Sequence, residues 1–162
     1  KVVLDLVSVQ QKNKSLETAV LIAKKEAGFL TRFEKLGKTY FADLKSGNDL
    51  NLTRYIKTFR VFKKYDVLHF HSFNPWLAFA AILSCKKIVY TEHGNFGFGR
   101  TLNGSLKFVY QMQKIFLNKY VDFISFNSKF SKQLSEQRNG LQPVKRAVIY
   151  NGIEFTGEEI TK

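Results

Sequence analysis

Cysteine and proline are almost absent: Cys85 is the one thiol and there are 2 prolines in 162 residues, while acidic side chains are half as numerous as basic ones. A lone thiol excludes an intramolecular disulfide framework and any multi-thiolate metal cluster, so a reducing, intracellular setting is the simpler expectation. Scarce proline, with no repeat and no low-complexity tract, leaves no visible internal linker. The length suits one domain and excludes a complete two-domain enzyme. Long apolar runs are also missing. The longest, around Trp76 to Leu83, falls far short of a spanning helix, and no signal peptide precedes the mixed, charged opening. A soluble protein, or one lying on a membrane surface, is expected.

What the chain does contain is apolar and basic. Apolar residues make up 44% and aromatic ones 15%, with 16 Phe and 7 Tyr, which is ample for a buried core and excludes disorder. Lys and Arg number 26 against 13 Asp and Glu, a net charge of +13, and Glu154, Glu158 and Glu159 crowd the end, so the body is more basic than the total. Such a surplus favours polyanionic partners: nucleic acid, anionic lipid headgroups or a phosphorylated substrate.

Strand-length apolar runs alternate with stretches of helical period, the rhythm of a parallel sheet covered by helices. Strands are expected at Glu17 to Ala23, Thr39 to Ala42, Asp66 to His71, Lys87 to His93, Asp122 to Asn127 and Ala147 to Asn151. Helices are expected over Leu50 to Tyr65, with Leu52, Tyr55, Ile56, Phe59 and Phe62 on one face, and over Ser105 to Tyr120, with Leu106, Val109, Tyr110, Leu117 and Tyr120. A third starts at Asn74-Pro75-Trp76, where proline suits a first turn, and a fourth covers Ser128 to Gln137. The opening residues fit either a strand, by their β-branched content, or one face of a helix through Val2, Val3, Leu6, Val9 and Gln10. The expected fold is a single α/β domain.

Four strands end alike. Asp66-Val-Leu-His-Phe-His71 runs into Ser72, Lys87 to His93 into Gly94, Asp122-Phe-Ile-Ser-Phe-Asn127 into Ser128, and Ala147-Val-Ile-Tyr-Asn151 into Gly152. In an open parallel sheet the carboxyl ends of the strands share one edge, where ligands bind. His71, His93, Asn127 and Asn151 are therefore expected along one cleft. A single polar strand end commonly just meets water; four together, two of them histidine, point to a site. His69 and His71 share a strand face, and with His93 they could offer three nitrogens to zinc. The carboxylates usual at such sites are missing, so no metal is expected and His69 is read as a packed, hydrogen-bonded strand residue. The stretch Gly94-Asn95-Phe96-Gly97-Phe98-Gly99-Arg100 lacks the lysine of a phosphate-binding P-loop and the compact G-x-G-x-x-G spacing. It reads either as an anion cradle or as a plain loop.

In order and spacing, Asp66-Val-Leu-His-Phe-His71, Ile88-Val-Tyr-Thr-Glu-His-Gly94, Val121-Asp-Phe-Ile-Ser-Phe-Asn-Ser128 and Val148-Ile-Tyr-Asn-Gly-Ile153 resemble landmarks in the N-terminal half of the retaining, nucleotide-sugar-dependent glycosyltransferases of family 4. The resemblance implies half of a GT-B architecture: a Rossmann-like open parallel sheet with helices on both faces, over residues 1–153, that mostly binds the acceptor. It implies that Val2 to Val7 belongs to the first helix, after an absent strand and glycine-rich turn. Residues 154–162 would be linker remnant or tail, the nucleotide-sugar domain would be absent, and the fragment alone would be inactive.

By the same resemblance His93 is the cleft histidine near the transferred sugar. His71, Ser72, Asn74, Gly94, Asn95, Asn127 and Ser128 would shape the acceptor pocket, with Asn151 and Gly152 at the interdomain cleft. The nucleotide sugar would be a co-substrate rather than a cofactor, and the acceptor a glycan or lipid-linked molecule in cell-surface polysaccharide or glycolipid synthesis. The resemblance places such an enzyme in the cytoplasm, free or peripheral on the inner face of the cell membrane, with Lys107, Lys114 and Lys119 or Lys57, Arg60, Lys63 and Lys64 meeting anionic headgroups. The alternatives are a basic nucleic-acid-binding module, against which the basic residues are spread along the chain without a binding motif, and a non-catalytic Rossmann-like nucleotide-binding domain.

Overall fold

The computed structural model describes residues 2–24, 30–44, 51–93, 104–139 and 145–150. The opening segment is a helix, α1 (Val2–Lys12), followed by β1 (Ala19–Ile22), α2 (Leu30–Leu36), β2 (Lys38–Phe41) and α3 (Leu52–Phe62). Then come β3 (Val67–Phe70), α4 (Pro75–Ser84), β4 (Lys87–Glu92), α5 (Gly104–Lys119), β5 (Phe123–Phe126), α6 (Lys129–Asn139) and β6 (Arg146–Val148). All six expected strands are present; β1, β3, β4 and β5 are shorter at their ends, while β2 and β6 begin one residue earlier than expected. Helix α2 is additional to the sequence reading.

Every strand pair is parallel, and the order is β1-β2 in one sheet and β3-β4-β5-β6 in another. The sequence suggested one open sheet; among the described residues no strand bridges β1 or β2 to β3. The two sheets nonetheless share a core, since Ala42 and Leu44 after β2 lie in the same buried cluster as Leu68, Phe70, Ile124 and Phe126. This is a Rossmann-like α/β fold.

Alternation along the strands gives the four-stranded sheet two unlike faces. Even-numbered Leu68, Phe70, Ile88, Tyr90, Ile124 and Phe126 are buried. Helices α3 and α5 cover this side: Phe116 of α5 and Phe62 of α3 both meet Phe70 edge-on, at 5.6 and 6.1 Å between centroids. Ile124 and Phe126 are wholly inaccessible, each contributing about 1.5–3 kcal/mol by burial. The odd-numbered face is more open. Val67 and His69 are exposed and Val89, Thr91 and Phe123 are half-buried.

Two helix faces differ from the sequence pattern. On α3, Phe62 and Thr58 are buried and Tyr55 and Phe59 half-buried, whereas Leu52 and Ile56 lie exposed. On α5 the buried positions are Gln113, Phe116 and Leu117, with Leu106 and Tyr120 exposed. In both cases the buried stripe includes a polar residue, Thr58 or Gln113, and Gln113 Nε2 donates to the Tyr90 hydroxyl at 3.2 Å.

Candidate functional site

The strands run in parallel, so their carboxyl ends form one edge, and the register makes the odd-numbered side chains there neighbours. His69 is opposite Val89 and Thr91 is opposite Ser125. His69, His71, Thr91, His93, Ser125 and Asn127 thus occupy one face, two residues apart along each strand. Their polar atoms connect across the strands. His69 Nε2 lies 2.7 Å from Thr91 Oγ1, which in turn lies 2.7 Å from Ser125 Oγ. His71 Nδ1 lies 3.2 Å from His93 Nε2. The rings are layered as well: His69 and His71 have centroids 4.2 Å apart at 34°, and His71 and His93 lie 5.5 Å apart at 29°.

This packing governs charge. Burial pushes the His71 imidazole down to about 4, with His69 and His93 adding repulsion to its protonated form. His69 is lowered by burial and then by His93, and His93 by burial. Neutral imidazoles each offer one donor and one acceptor, so near pH 7 this edge carries neutral hydrogen-bonding groups. Among the described residues, no group of three or more His, Cys, Asp or Glu is placed to hold a metal ion. Glu92, on the even-numbered side, is buried at 6% exposure and faces away from His93.

The sequence-predicted residues divide into four groups. His71 and His93 meet directly. Asn74, Asn127 and Ser128 stand near the same edge but serve helix starts: Asn74 Oδ1 accepts from the backbone N–H of Trp76 and Leu77 at 3.0 and 3.2 Å, capping α4. Ser128 Oγ accepts from Ser131 N at 3.0 Å, and Asn127 Oδ1 accepts from Ser131 Oγ at 2.8 Å. Ser72 follows β3 and is exposed. Gly94, Asn95, Asn151, Gly152 and the glycine-rich stretch lie outside the described residues. His69, read as packed and hydrogen-bonded, stacks its ring on His71 and bonds to Thr91, while the residue as a whole is exposed on the open face. Thr91 and Ser125 were missed by the sequence reading; each sits two residues before a predicted strand-end residue, so the alternation of a strand already placed them on the same face.

Residues 23–156 match the family model described as Glycosyltransferase Family 4, most of the chain's length. Comparison with curated proteins and with solved structures gives no match.

Proposed function

Since the chain belongs to glycosyltransferase family 4, we propose that it is the acceptor-binding side of a retaining transferase that uses a nucleotide sugar. One observation carries the reading: a row of neutral imidazole and hydroxyl groups, His69, His71, His93, Thr91 and Ser125, at the carboxyl edge of a parallel sheet. Neutral groups that both donate and accept suit sugar hydroxyls. A departing diphosphate calls for cations or a cluster of backbone amides, and no lysine or arginine belongs to this row. The anionic leaving group would be stabilised elsewhere, by a nucleotide-binding half, and this domain would orient the hydroxyl that attacks.

In this reading His93, at the tip of β4, touches the transferred sugar or the acceptor, and no metal or other cofactor takes part. The chain by itself would bind acceptor without turning over a nucleotide sugar. The acceptor would be a glycan or lipid-linked sugar of a surface polysaccharide or glycolipid, and the enzyme would work at the cytoplasmic face of the membrane. Among the described residues no helix is long and apolar enough to cross a bilayer, so contact would be peripheral.

The test is a titration of the three histidine ring signals by NMR with methyl and octyl hexosides and, separately, with nucleotide sugars. Shifts of the His71 and His93 signals with a hexoside support the reading. Saturable binding of nucleotide alone at this edge would replace it with a nucleotide-binding one.

A further inference from the structure

Two imidazole nitrogens 3.2 Å apart, His71 Nδ1 and His93 Nε2, cannot both present lone pairs or both present protons without repulsion. One must donate and the other accept, so the contact holds a single proton and couples the tautomers of the two rings. If His71 donates from Nδ1, His93 accepts at Nε2 and carries its proton on Nδ1. If His93 donates from Nε2, its Nδ1 is left as an acceptor. The state of His71 therefore decides whether the far nitrogen of His93 offers a ligand a proton or a lone pair.

His71 is in turn held in place. Its ring lies between His69, 4.2 Å away between centroids, and His93. His69 is anchored through Thr91 Oγ1 to Ser125 Oγ, crossing three strands of the sheet. This row lies on strands β3, β4 and β5, so the ring against which His71 stacks is held by side-chain hydrogen bonds across the sheet. Side chains locked by rigid elements and hydrogen-bonded neighbours are what a precise site requires.

We propose that His71 is a positioning residue that fixes the tautomer and ring plane of His93, backed by the row His69, Thr91 and Ser125. The inference deepens the acceptor reading of the same edge, and gives it a specificity rule: His93 presents one defined hydrogen-bonding sense to the sugar hydroxyl. The contact excludes the doubly charged pair, because protonating both rings would set two cations against each other at this distance.

The experiment is long-range nitrogen–proton NMR of the histidine rings in the ligand-free chain, comparing wild type, His71→Phe and His71→Asn. Phenylalanine keeps a flat ring in the stack and removes both nitrogens; asparagine restores a hydrogen-bonding atom near the position of Nδ1. Wild type should show His93 in one dominant tautomer. In His71→Phe the tautomer ratio should fall about fivefold or more, and His71→Asn should recover most of it. A His93 whose tautomer is unchanged in a folded His71→Phe variant would overturn the proposal. So would a wild-type His93 exchanging freely between tautomers, a result that needs no variant to fold. Addition of zinc alone is the third arm: stoichiometric binding that shifts both rings would make the pair a metal clip and likewise overturn it. None of these readouts needs a substrate, so they decide the positioning role whether or not hexosides bind.

Discussion

Asp122 Oδ2 accepts the backbone N–H of Ile88 at 2.8 Å, while Asp122 Oδ1 lies 3.1 Å from Lys87 Nζ. A side chain just before β5 thus holds the first turn of the β4 ladder, where Asp122 N also donates to Ile88 O at 2.8 Å. The bond to Ile88 N–H, followed by Lys87, keeps the carboxyl below its ordinary range. Asp122→Ala should destabilise the domain by about 1–3 kcal/mol, read as a lower urea midpoint with an unchanged slope, because it leaves that N–H without its acceptor. Asp122→Asn keeps an acceptor oxygen and should lose less. The Lys87 pair is exposed and adds little, so Lys87→Ala should be close to neutral.

The histidine row makes stability depend on pH. His71 titrates at about 4 in the fold, below the 6.5 of a free imidazole, mainly through burial. The unfolded chain therefore binds more protons between those values, and the stabilisation is present in full above pH 6.5 and drains away as pH falls toward 4. Allowing for partial solvent access, the loss is on the order of 1–2 kcal/mol. Thermal melts of wild type and His71→Phe between pH 7.5 and 4.5 should converge as the pH drops. Parallel curves would deny His71 this role.

Helix α4 ends on Cys85, in a left-handed conformation with φ 54° and ψ 36°. That position is where helices commonly place glycine, which has no Cβ to crowd the carbonyl. Cys85→Gly should raise stability by about 0.5–1 kcal/mol, whereas Cys85→Val should lower it by a comparable amount. Both are measured by urea unfolding under reducing conditions.

Much of this fold was legible because parallel strands buried on one side leave dense signals: Val67 to Phe70 and Phe123 to Phe126 are short apolar runs between breaks, and Asn74-Pro75 announces a helix start. Residues Val2 to Lys12 were ambiguous for a physical reason, since a β-branched segment with apolar residues at three- and four-residue spacing satisfies both periods. The site was half legible. Strand ends pointed to His71 and His93, but position at a strand end does not separate a side chain left for a ligand from one that, like Asn74 and Ser128, turns back to the first N–H groups of a helix. The link from His69 to Ser125 through Thr91 needed the register of three strands, a long-range property.

His93→Ala is expected to lower transfer on the order of 100-fold in the enzyme carrying this domain, the scale of losing one well-placed hydrogen-bonding group at a reacting centre. The ring is only half-buried and at the end of its strand, so the thermal midpoint should move little. Turnover within about twofold of wild type would remove His93 from the site.

The basic surplus yields a separate prediction. On α5 Phe108 and Ile115 are 66% and 57% exposed, and seven residues apart they share one helix face. Lys107 and Lys114, each one position before, flank them, and Lys119 follows. An exposed apolar stripe bordered by cations suits an anionic bilayer, where Phe108 and Ile115 would enter the headgroup layer and each lysine adds about 1 kcal/mol. The chain should therefore sediment with vesicles containing phosphatidylserine and not with purely zwitterionic ones, less so as salt rises. Replacing Lys107 and Lys114 by Glu should weaken binding about tenfold or more, and Phe108→Ser with Ile115→Ser should reduce it at every salt concentration. A nucleic-acid surface would behave differently. Oligonucleotide binding would show a steep salt slope and little sensitivity to Phe108 and Ile115. Vesicle binding indifferent to all four substitutions would exclude α5 as the contact.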